Sequence, residues 1–137
     1  MKTHQGGCFC GAVRYEFSTD PKSLVHCHCK DCRRTSGAPS LAWVIIPAEG
    51  FKWLSGEPKS FASSPPVTRT FCGICGTTLT YLYEKSSNID VTTASLDDPD
   101  GFAPIKEIWV EQRLGWDILD EELPHFARSS IGNQPIN

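Results

Sequence analysis

Apolar and polar residues alternate along several short stretches of this chain, with the period of two that is typical of half-buried β-strands. In the segment 12–17, Val13, Tyr15 and Phe17 fall on one face and the more polar residues fall on the other. On this basis we predict strands at 12–17, 40–47, 51–54, 67–71, 78–83, 88–96 and 105–111. The pattern therefore indicates a mainly β protein built of antiparallel strands.

Turn-forming sequences separate these strands, among them "SGEP", "SSPP" and "DDPDG". Only the segments 30–36 and 118–127 have a composition that allows short helices, and neither shows a strong amphipathic repeat. The chain contains no internal repeat, low-complexity tract or linker. We therefore expect a single domain over 1–137, with the polar segment 128–137 as a loosely attached tail.

The bulk composition excludes some classes of partner. The chain has 137 residues, with 13 basic and 16 acidic side chains and a net charge of −3, whereas nucleic-acid binding usually requires a basic surface. No apolar run approaches the ~20 residues of a membrane span, and the first residues lack the apolar segment of a secretory signal. We expect a cytoplasmic protein with neither nucleic acid nor a membrane as partner.

Seven cysteines lie in three clusters, and in a reducing compartment such clusters are more often metal ligands than disulfides. "GGCFCG" carries Cys8 and Cys10, and in an extended segment their sulfurs would point to the same side. "FCGICG" carries Cys72 and Cys75 with the spacing of a zinc knuckle. We predict that these four cysteines form a structural four-thiolate zinc site.

The remaining cysteines, Cys27, Cys29 and Cys32, lie in "HCHCKDC" and offer three thiolates to a second ion. Structural zinc sites are closed, whereas catalytic sites keep three protein ligands and an open position. We predict an open three-thiolate site. Two alternatives remain open: a fourth ligand from the protein closes the site, or the three cysteines bind no metal. His26 and His28 should point away from the sulfurs if the stretch is extended, while His4 and His125 would have to come from elsewhere in the fold.

A zinc ion with three thiolates carries one net negative charge and is a weak Lewis acid, so it should activate water poorly. It suits a soft ligand such as a substrate thiol, whose deprotonation it favours. Lys30, Arg33 and Arg34 are candidate contacts for the carboxylates of an anionic substrate, although a solvated basic loop is the plainer interpretation.

The cysteine clusters carry a resemblance to the family of glutathione-dependent formaldehyde-activating enzymes, which includes the centromere protein V domain. The matching segments are "GGCFCGAVRY", "CHCKDCRRTSGAP", "RTFCGICGTTL", "IDVTTASLDDP" and the stretch "PIKEIW" that leads to Trp116, and together they cover about 5–117. The resemblance implies a tent-like β fold with two zinc ions. It also implies a structural site at Cys8, Cys10, Cys72 and Cys75 and a catalytic site at Cys27, Cys29 and Cys32.

The implied activity is that of a carbon–sulfur lyase, which joins glutathione and formaldehyde into S-(hydroxymethyl)glutathione or runs the reverse reaction. Glutathione, or a similar small thiol, is the expected partner. One residue departs from the family pattern, since Glu107 stands where many members have histidine. The departure leaves the zinc ligands intact and puts the specific substrate in question.

Two other functions compete with the lyase. The domain would be a non-catalytic scaffold for another protein if both metals are structural, and a redox sensor if the basic residues near Cys27 and Cys32 lower the thiol pKa values.

The four tryptophans are expected to be core anchors rather than pocket residues: Trp43, Trp53, Trp109 and Trp116. The candidate acids or bases are Asp90, Asp97, Asp98 and Asp100. Turn chemistry explains the aspartates of "DDPDG", and we assign no proton-transfer residue.

Overall fold

The computed structural model describes residues 2–137 and is mainly β, as predicted. The strands among these residues are β1 His4–Gly7, β2 Arg14–Phe17, β3 Ser23–Cys27, β4 Leu41–Pro47, β5 Phe51–Ser55, β6 Lys59–Ser64, β7 Val67–Phe71, β8 Thr78–Tyr83, β9 Asn88–Thr92 and β10 Lys106–Ile108. The α-helix α1 spans Lys30–Ser36, and short 3-10 helices span Ala48–Gly50, Thr93–Ser95, Pro99–Phe102 and Val110–Gln112.

The strands form two sheets. A three-stranded antiparallel sheet has the order β1-β2-β5, and a seven-stranded sheet has the order β10-β3-β4-β9-β8-β7-β6. All pairings in the larger sheet are antiparallel except that of β10 with β3. The turn after β9 links the sheets, because Gly6 forms a bridge with Leu96 and the Asp97 N–H donates to the Gln5 carbonyl at 3.0 Å.

The two faces of the large sheet serve different purposes. Trp43 and Val44 are neighbours on β4, so they point to opposite faces, and both are buried. Val44 belongs to the main core, where the large sheet packs against Tyr15 and Phe17 of the small sheet. Trp43 belongs to a second cluster with Val25, Cys27 and Cys32. We call the second face the cysteine face, because it carries Cys27 and Cys32 beside Trp43.

The predicted strands are present, but 12–17 begins as a strand only at Arg14, and two others are four residues shorter than predicted. The predicted segment 88–96 ends as a strand at Thr92 and continues as a 3-10 turn. The predicted segment 105–111 is a strand only over Lys106–Ile108, because Trp109 adopts a left-handed conformation with φ 57° that interrupts the extended backbone. Tertiary contacts of these residues override the local β pattern.

Of the two predicted helices, 30–36 is confirmed and 118–127 is wrong. The backbone of the second segment bonds to β10 instead of to itself: Glu107 donates to the Pro124 carbonyl at 3.0 Å and Phe126 donates to the Glu107 carbonyl at 2.9 Å. Pro124 lacks an N–H and disfavours a helical residue before it, which makes a helix here costly.

The segment 128–137 is mostly exposed, yet its end folds back onto 123–125. The Ile136 N–H donates to the His125 carbonyl at 2.8 Å, and the Asn137 side chain donates to the Leu123 carbonyl at 2.9 Å. Among residues 2–137, none of the helices combines the length and the apolar character that a membrane crossing requires.

Tyr15 joins the small sheet to the segment after β9. Its side chain is fully buried, and its hydroxyl lies 2.7 Å from the Ser95 hydroxyl. We expect Tyr15→Phe to lower the free energy of unfolding by about 1 kcal/mol, because it removes a buried hydrogen bond at nearly constant volume. Urea unfolding at fixed zinc concentration measures this, with Tyr83→Phe at an exposed tyrosine as the control. Equal stabilities for the two variants would contradict the assignment.

Candidate functional site

The four cysteines of the first cluster are carried by two similar backbone turns. In one, the Gly11 N–H donates to the Cys8 carbonyl at 3.1 Å, and in the other the Gly76 N–H donates to the Cys72 carbonyl at 2.9 Å. Both glycines have φ near 82°, a conformation that favours glycine. The expected extended geometry at Cys8 and Cys10 is therefore wrong, since this segment is a knuckle like the one at Cys72 and Cys75.

The spacing of the sulfurs in this cluster fits a metal ion. The Cys8 and Cys10 sulfurs lie 3.6 Å apart and the Cys10 and Cys72 sulfurs 3.8 Å apart. A tetrahedron with zinc–sulfur distances of about 2.3 Å has edges of about 3.8 Å, whereas a disulfide requires about 2.05 Å. All seven cysteines are free thiols, so the disulfide alternative does not apply. Four soft donors at this spacing are compatible with zinc.

Backbone N–H groups point at these sulfurs, as they should if the sulfurs are thiolates. Val13 donates to the Cys8 sulfur at 3.3 Å, and Ile74 and Cys75 donate to the Cys72 sulfur at 3.4 Å. A hydrogen bond from the Thr77 hydroxyl lowers the pKa of the Cys75 thiol to about 5. At Cys75 the turn therefore favours the charged form that binds metals.

The second cluster is built where β3 runs into α1. Cys27 is the last residue of β3, Cys29 is the N-cap of α1, and Cys32 lies in its first turn, where its N–H donates to the Cys29 sulfur at 3.2 Å. The three sulfurs lie within 4.8 Å of one another. Hydrogen bonding from the Cys27 thiol, followed by that from Cys32, holds the pKa of Cys29 far below its ordinary value. The trio therefore readily yields a thiolate.

No fourth ligand joins this trio among residues 2–137: the group of possible metal-ligating atoms that contains its sulfurs has no other His, Cys, Asp or Glu. His26 and His28 instead form a separate group with Glu107, as the alternation along an extended backbone predicts. His4 packs on Phe17 and Phe102, and the His125 ring bonds to the Asp120 carbonyl.

The cation that contacts the trio is Arg69, which the sequence analysis missed. It lies on β7, is 5% exposed, and places its two terminal nitrogens 3.8 and 4.0 Å from the Cys32 sulfur. The same side chain donates to the hydroxyls of Ser63 and Thr35 and lies over the Tyr81 ring. Its charge lies where it offsets that of the thiolates.

The three basic residues that were predicted to contact a substrate have different environments from that of Arg69. Lys30 and Arg34 are exposed, and Arg33 donates to the Gln112 carbonyl at 3.1 Å. The plainer interpretation of a solvated basic segment therefore fits Lys30 and Arg34. The residue that replaces them beside the sulfurs lies more than thirty positions downstream, so local sequence carried no signal for it.

The tryptophans divide between the two faces of the large sheet. Trp53 packs in the main core against Tyr15, as expected of a core anchor. Trp43 and Trp109 pack with the second cysteine cluster, and the Trp43 ring lies 6.1 Å from that of Tyr81 in an edge-to-face arrangement. Trp116 is 69% exposed and anchors no core.

Asp90 is a carboxyl group on the cysteine face. It is opposite Ile45 on one side and Tyr81 on the other, and it shares this face with Trp43 and Arg69 through the strand register. Desolvation raises the pKa of Asp90 to about 7, against an opposing effect of the Arg69 charge. The other aspartates considered lie in the turn region: Asp97 pairs with Arg14, and Asp98 and Asp100 are exposed.

A cavity of about 270 Å³ lies beside Arg69. It is lined by three hydroxyl groups, two aromatic rings, one guanidinium and a glycine: Thr35, Thr70, Thr78, Phe61, Phe71, Arg69 and Gly76. A larger cavity of about 630 Å³ lies around β1, and neither cavity has a cysteine in its lining. Because Arg69 lines the smaller cavity and also touches Cys32, that cavity is the one associated with the trio.

Comparisons with known proteins agree with this arrangement. The sequence profile of the family described as glutathione-dependent formaldehyde-activating enzyme matches residues 3–112. An uncharacterized lyase of Schizosaccharomyces pombe is 31% identical over 88 residues, and the match covers 64% of each chain. A crystal structure of a Rhodobacter sphaeroides protein is similar in fold, with a TM-score of 0.59 and 21% identity over 68% of this chain and 87% of that one. This chain belongs to the glutathione-dependent formaldehyde-activating enzyme family.

Proposed function

We propose that this protein is a zinc-dependent carbon–sulfur lyase that forms or cleaves an adduct between a small thiol, glutathione or a similar compound, and an aldehyde. The observation that carries this proposal is the trio of Cys27, Cys29 and Cys32, whose sulfurs lie within 4.8 Å of one another without a fourth candidate ligand among residues 2–137. Membership of the family and the naming of the yeast relative as a lyase support it.

A zinc ion bound by this trio would supply an open position at which a thiol loses its proton and becomes a nucleophile. The chain's own residues prepare that position. The Cys32 N–H and the Arg69 charge stabilise the thiolate form of Cys29, and burial of Cys27 and Cys32 excludes water. The four-thiolate cluster at Cys8, Cys10, Cys72 and Cys75 would be the structural site.

The cavity beside Arg69 offers a place for the part of the thiol that does not react. Its two phenylalanine rings suit apolar groups, and its threonine hydroxyls and guanidinium suit a polar or anionic end. Phe61 lines this cavity and is 60% exposed, so its ring is accessible to a ligand bound there. Binding energy from this region would orient the sulfur at the trio.

Asp90 is the candidate for proton transfer on this face. In the synthetic direction a carboxylic acid gives its proton to the oxygen that becomes the hydroxyl group of the adduct, and in the reverse direction the carboxylate takes that proton back. Tyr81 and Arg69 are the ionisable groups that face Asp90 from the neighbouring strands.

A binding function is the second candidate, and one observation favours it. Phe9, between Cys8 and Cys10, is 95% exposed, and Ile74, between Cys72 and Cys75, is 79% exposed. Both knuckles therefore present an apolar tip to solvent, and exposed apolar groups on a rigid support are typical of contact surfaces. In this alternative both metals would be structural.

The lyase proposal predicts that the zinc-loaded protein accelerates adduct formation from glutathione and formaldehyde above the spontaneous rate. Cys29→Ser should reduce that acceleration at least a hundredfold, because it removes a metal ligand and the sulfur best suited to be a thiolate. The measurement is the initial rate by NMR of the hydroxymethyl protons. Asp31→Asn, an exposed change on the same helix, is the control and should keep the wild-type rate. A wild-type rate equal to that without protein, with every thiol tested, would refute the proposal.

The cavity assignment predicts a selective loss in Phe61→Ala. The KM for glutathione should rise about tenfold, because one wall of the cavity is removed, while the KM for 2-mercaptoethanol, which is too small to reach it, should stay unchanged. Steady-state kinetics with both thiols test this, and Leu82→Ala, at an exposed position of β8, is the control. A parallel rise for both thiols would contradict the assignment.

The raised pKa of Asp90 predicts a pH-dependent effect of Asp90→Asn on stability. Between pH 4 and 7 the folded protein keeps a proton on Asp90 that the unfolded chain has released, so ionisation lowers stability as pH rises. The variant should match the wild type at pH 4 and exceed it by up to about 4 kcal/mol at pH 8, since the pKa is raised from 3.8 to about 7 and each pKa unit corresponds to about 1.4 kcal/mol. Urea unfolding across this range measures it. A stability difference that does not depend on pH would show that Asp90 is not desolvated.

A further inference from the structure

A buried carboxylate lies behind the cysteine trio, on the opposite side of the chain from the sulfurs. Glu107, on β10, is 2% exposed, and β10 pairs in parallel with β3 so that Glu107 is opposite His26. Its Oε1 accepts from His26 Nδ1 at 2.8 Å and from His28 Nε2 at 2.5 Å. One oxygen atom therefore binds the residue before Cys27 and the residue after it.

The His26 imidazole is held at its other nitrogen as well, since Nε2 lies 2.7 Å from the Ser40 hydroxyl. His28 Nδ1 lies 3.4 Å from Asp117 Oδ2, but neither atom makes a hydrogen bond there. The His28 backbone N–H also donates to the Ile108 carbonyl at 3.0 Å. Because His28 is fully buried, its ring has little freedom to leave this position.

Glu107 is itself held in place. Its Oε2 accepts from the Asp120 N–H at 3.1 Å, and its backbone N–H and carbonyl bond to Pro124 and Phe126. The segment 118–127, predicted to be helical, instead lies against the carboxylate through Asp120, Pro124 and Phe126. Because the hydrogen bonds that Glu107 accepts offset its loss of solvation, removing them is costly.

We propose that Glu107 is a positioning residue for the metal site, acting through His26 and His28 to fix the directions in which the Cys27 and Cys29 sulfurs point. Side chains alternate between faces in an extended stretch, so restraining the rings on one face determines the orientation of Cys27 and Cys29 on the other. The inference rests on the proposed metal at the trio.

The test uses the full chain loaded with cadmium-113, whose NMR signals report each metal site separately. In Glu107→Gln we expect the signal of the trio to shift or broaden, and metal release from the trio to a chelator to become about 10–100-fold faster, as is typical when a partner of a metal ligand is lost. The signal of the four-thiolate cluster should stay unchanged and serves as the internal control. Glu111→Gln, which removes only an exposed pair with Arg128, should alter neither signal.

A purely structural role would give a different result. In that case Glu107→Gln would lower the melting temperature while both cadmium signals and both release rates stay at their wild-type values, and the proposal would be overturned. If Glu107→Gln does not fold, Ser40→Ala tests the same network at His26 Nε2, with the same expected change at the trio alone. Absence of a second cadmium signal in the wild type would instead refute the proposed metal at the trio, and with it the proposed function.

Discussion

Seven thiol groups gathered into two compact clusters inside a small domain are a costly arrangement unless cations lie among them. Thiolates at sulfur–sulfur distances of 3.6–3.8 Å repel one another, and neutral thiols would form only weak hydrogen bonds at these positions. A divalent ion at the centre of each cluster removes the repulsion and contributes folding energy. The rest of the architecture is consistent with this constraint, since glycines with positive φ, backbone N–H donors and one buried arginine all surround the sulfurs.

The two clusters lie on opposite sides of the seven-stranded sheet, and this separation allows them to differ. Cys8 and Cys72 are part of the main core between the sheets, where a closed site would join β1 to the β7–β8 connection. Cys27 and Cys32 belong to the second cluster, beside Trp43 and Tyr81 and next to the cavity at Arg69. A closed site suits the first position because it stabilises the fold, and an open site suits the second because it adjoins space for a ligand.

The local pattern of apolar, polar and turn residues was sufficient to predict much of the fold. The segments 67–71 and 78–83 and the helix 30–36 could be predicted within a residue, since alternation, turn residues and capping are local properties. β1, β3 and β6 are absent from the predicted strands. β1 contains two glycines and β6 is an edge strand whose residues are largely exposed, whereas β3 alternates in burial over 25–27, a signal that the prediction overlooked. The helix expected at 118–127 fails for a non-local reason, namely the backbone bonds that this segment makes with β10.

The candidate site, like the fold, could be predicted only where it depends on local sequence. The grouping of the seven cysteines into four and three follows from their spacing. The contacts of Arg69 and Glu107 could not be assigned in this way. Arg69 reaches the Cys32 sulfur from β7, and Glu107 reaches His26 and His28 from β10, and both strands are distant in sequence from β3.

We propose that an ion bound by Cys27, Cys29 and Cys32 keeps a free coordination position that accepts sulfur from outside the protein. X-ray absorption of the zinc-loaded protein tests it most directly, because it counts sulfur neighbours averaged over both ions. The account predicts about three and a half sulfurs per zinc without a thiol and about four when glutathione is bound. A count that is already four without a thiol, or one that does not change when glutathione is added, would contradict it.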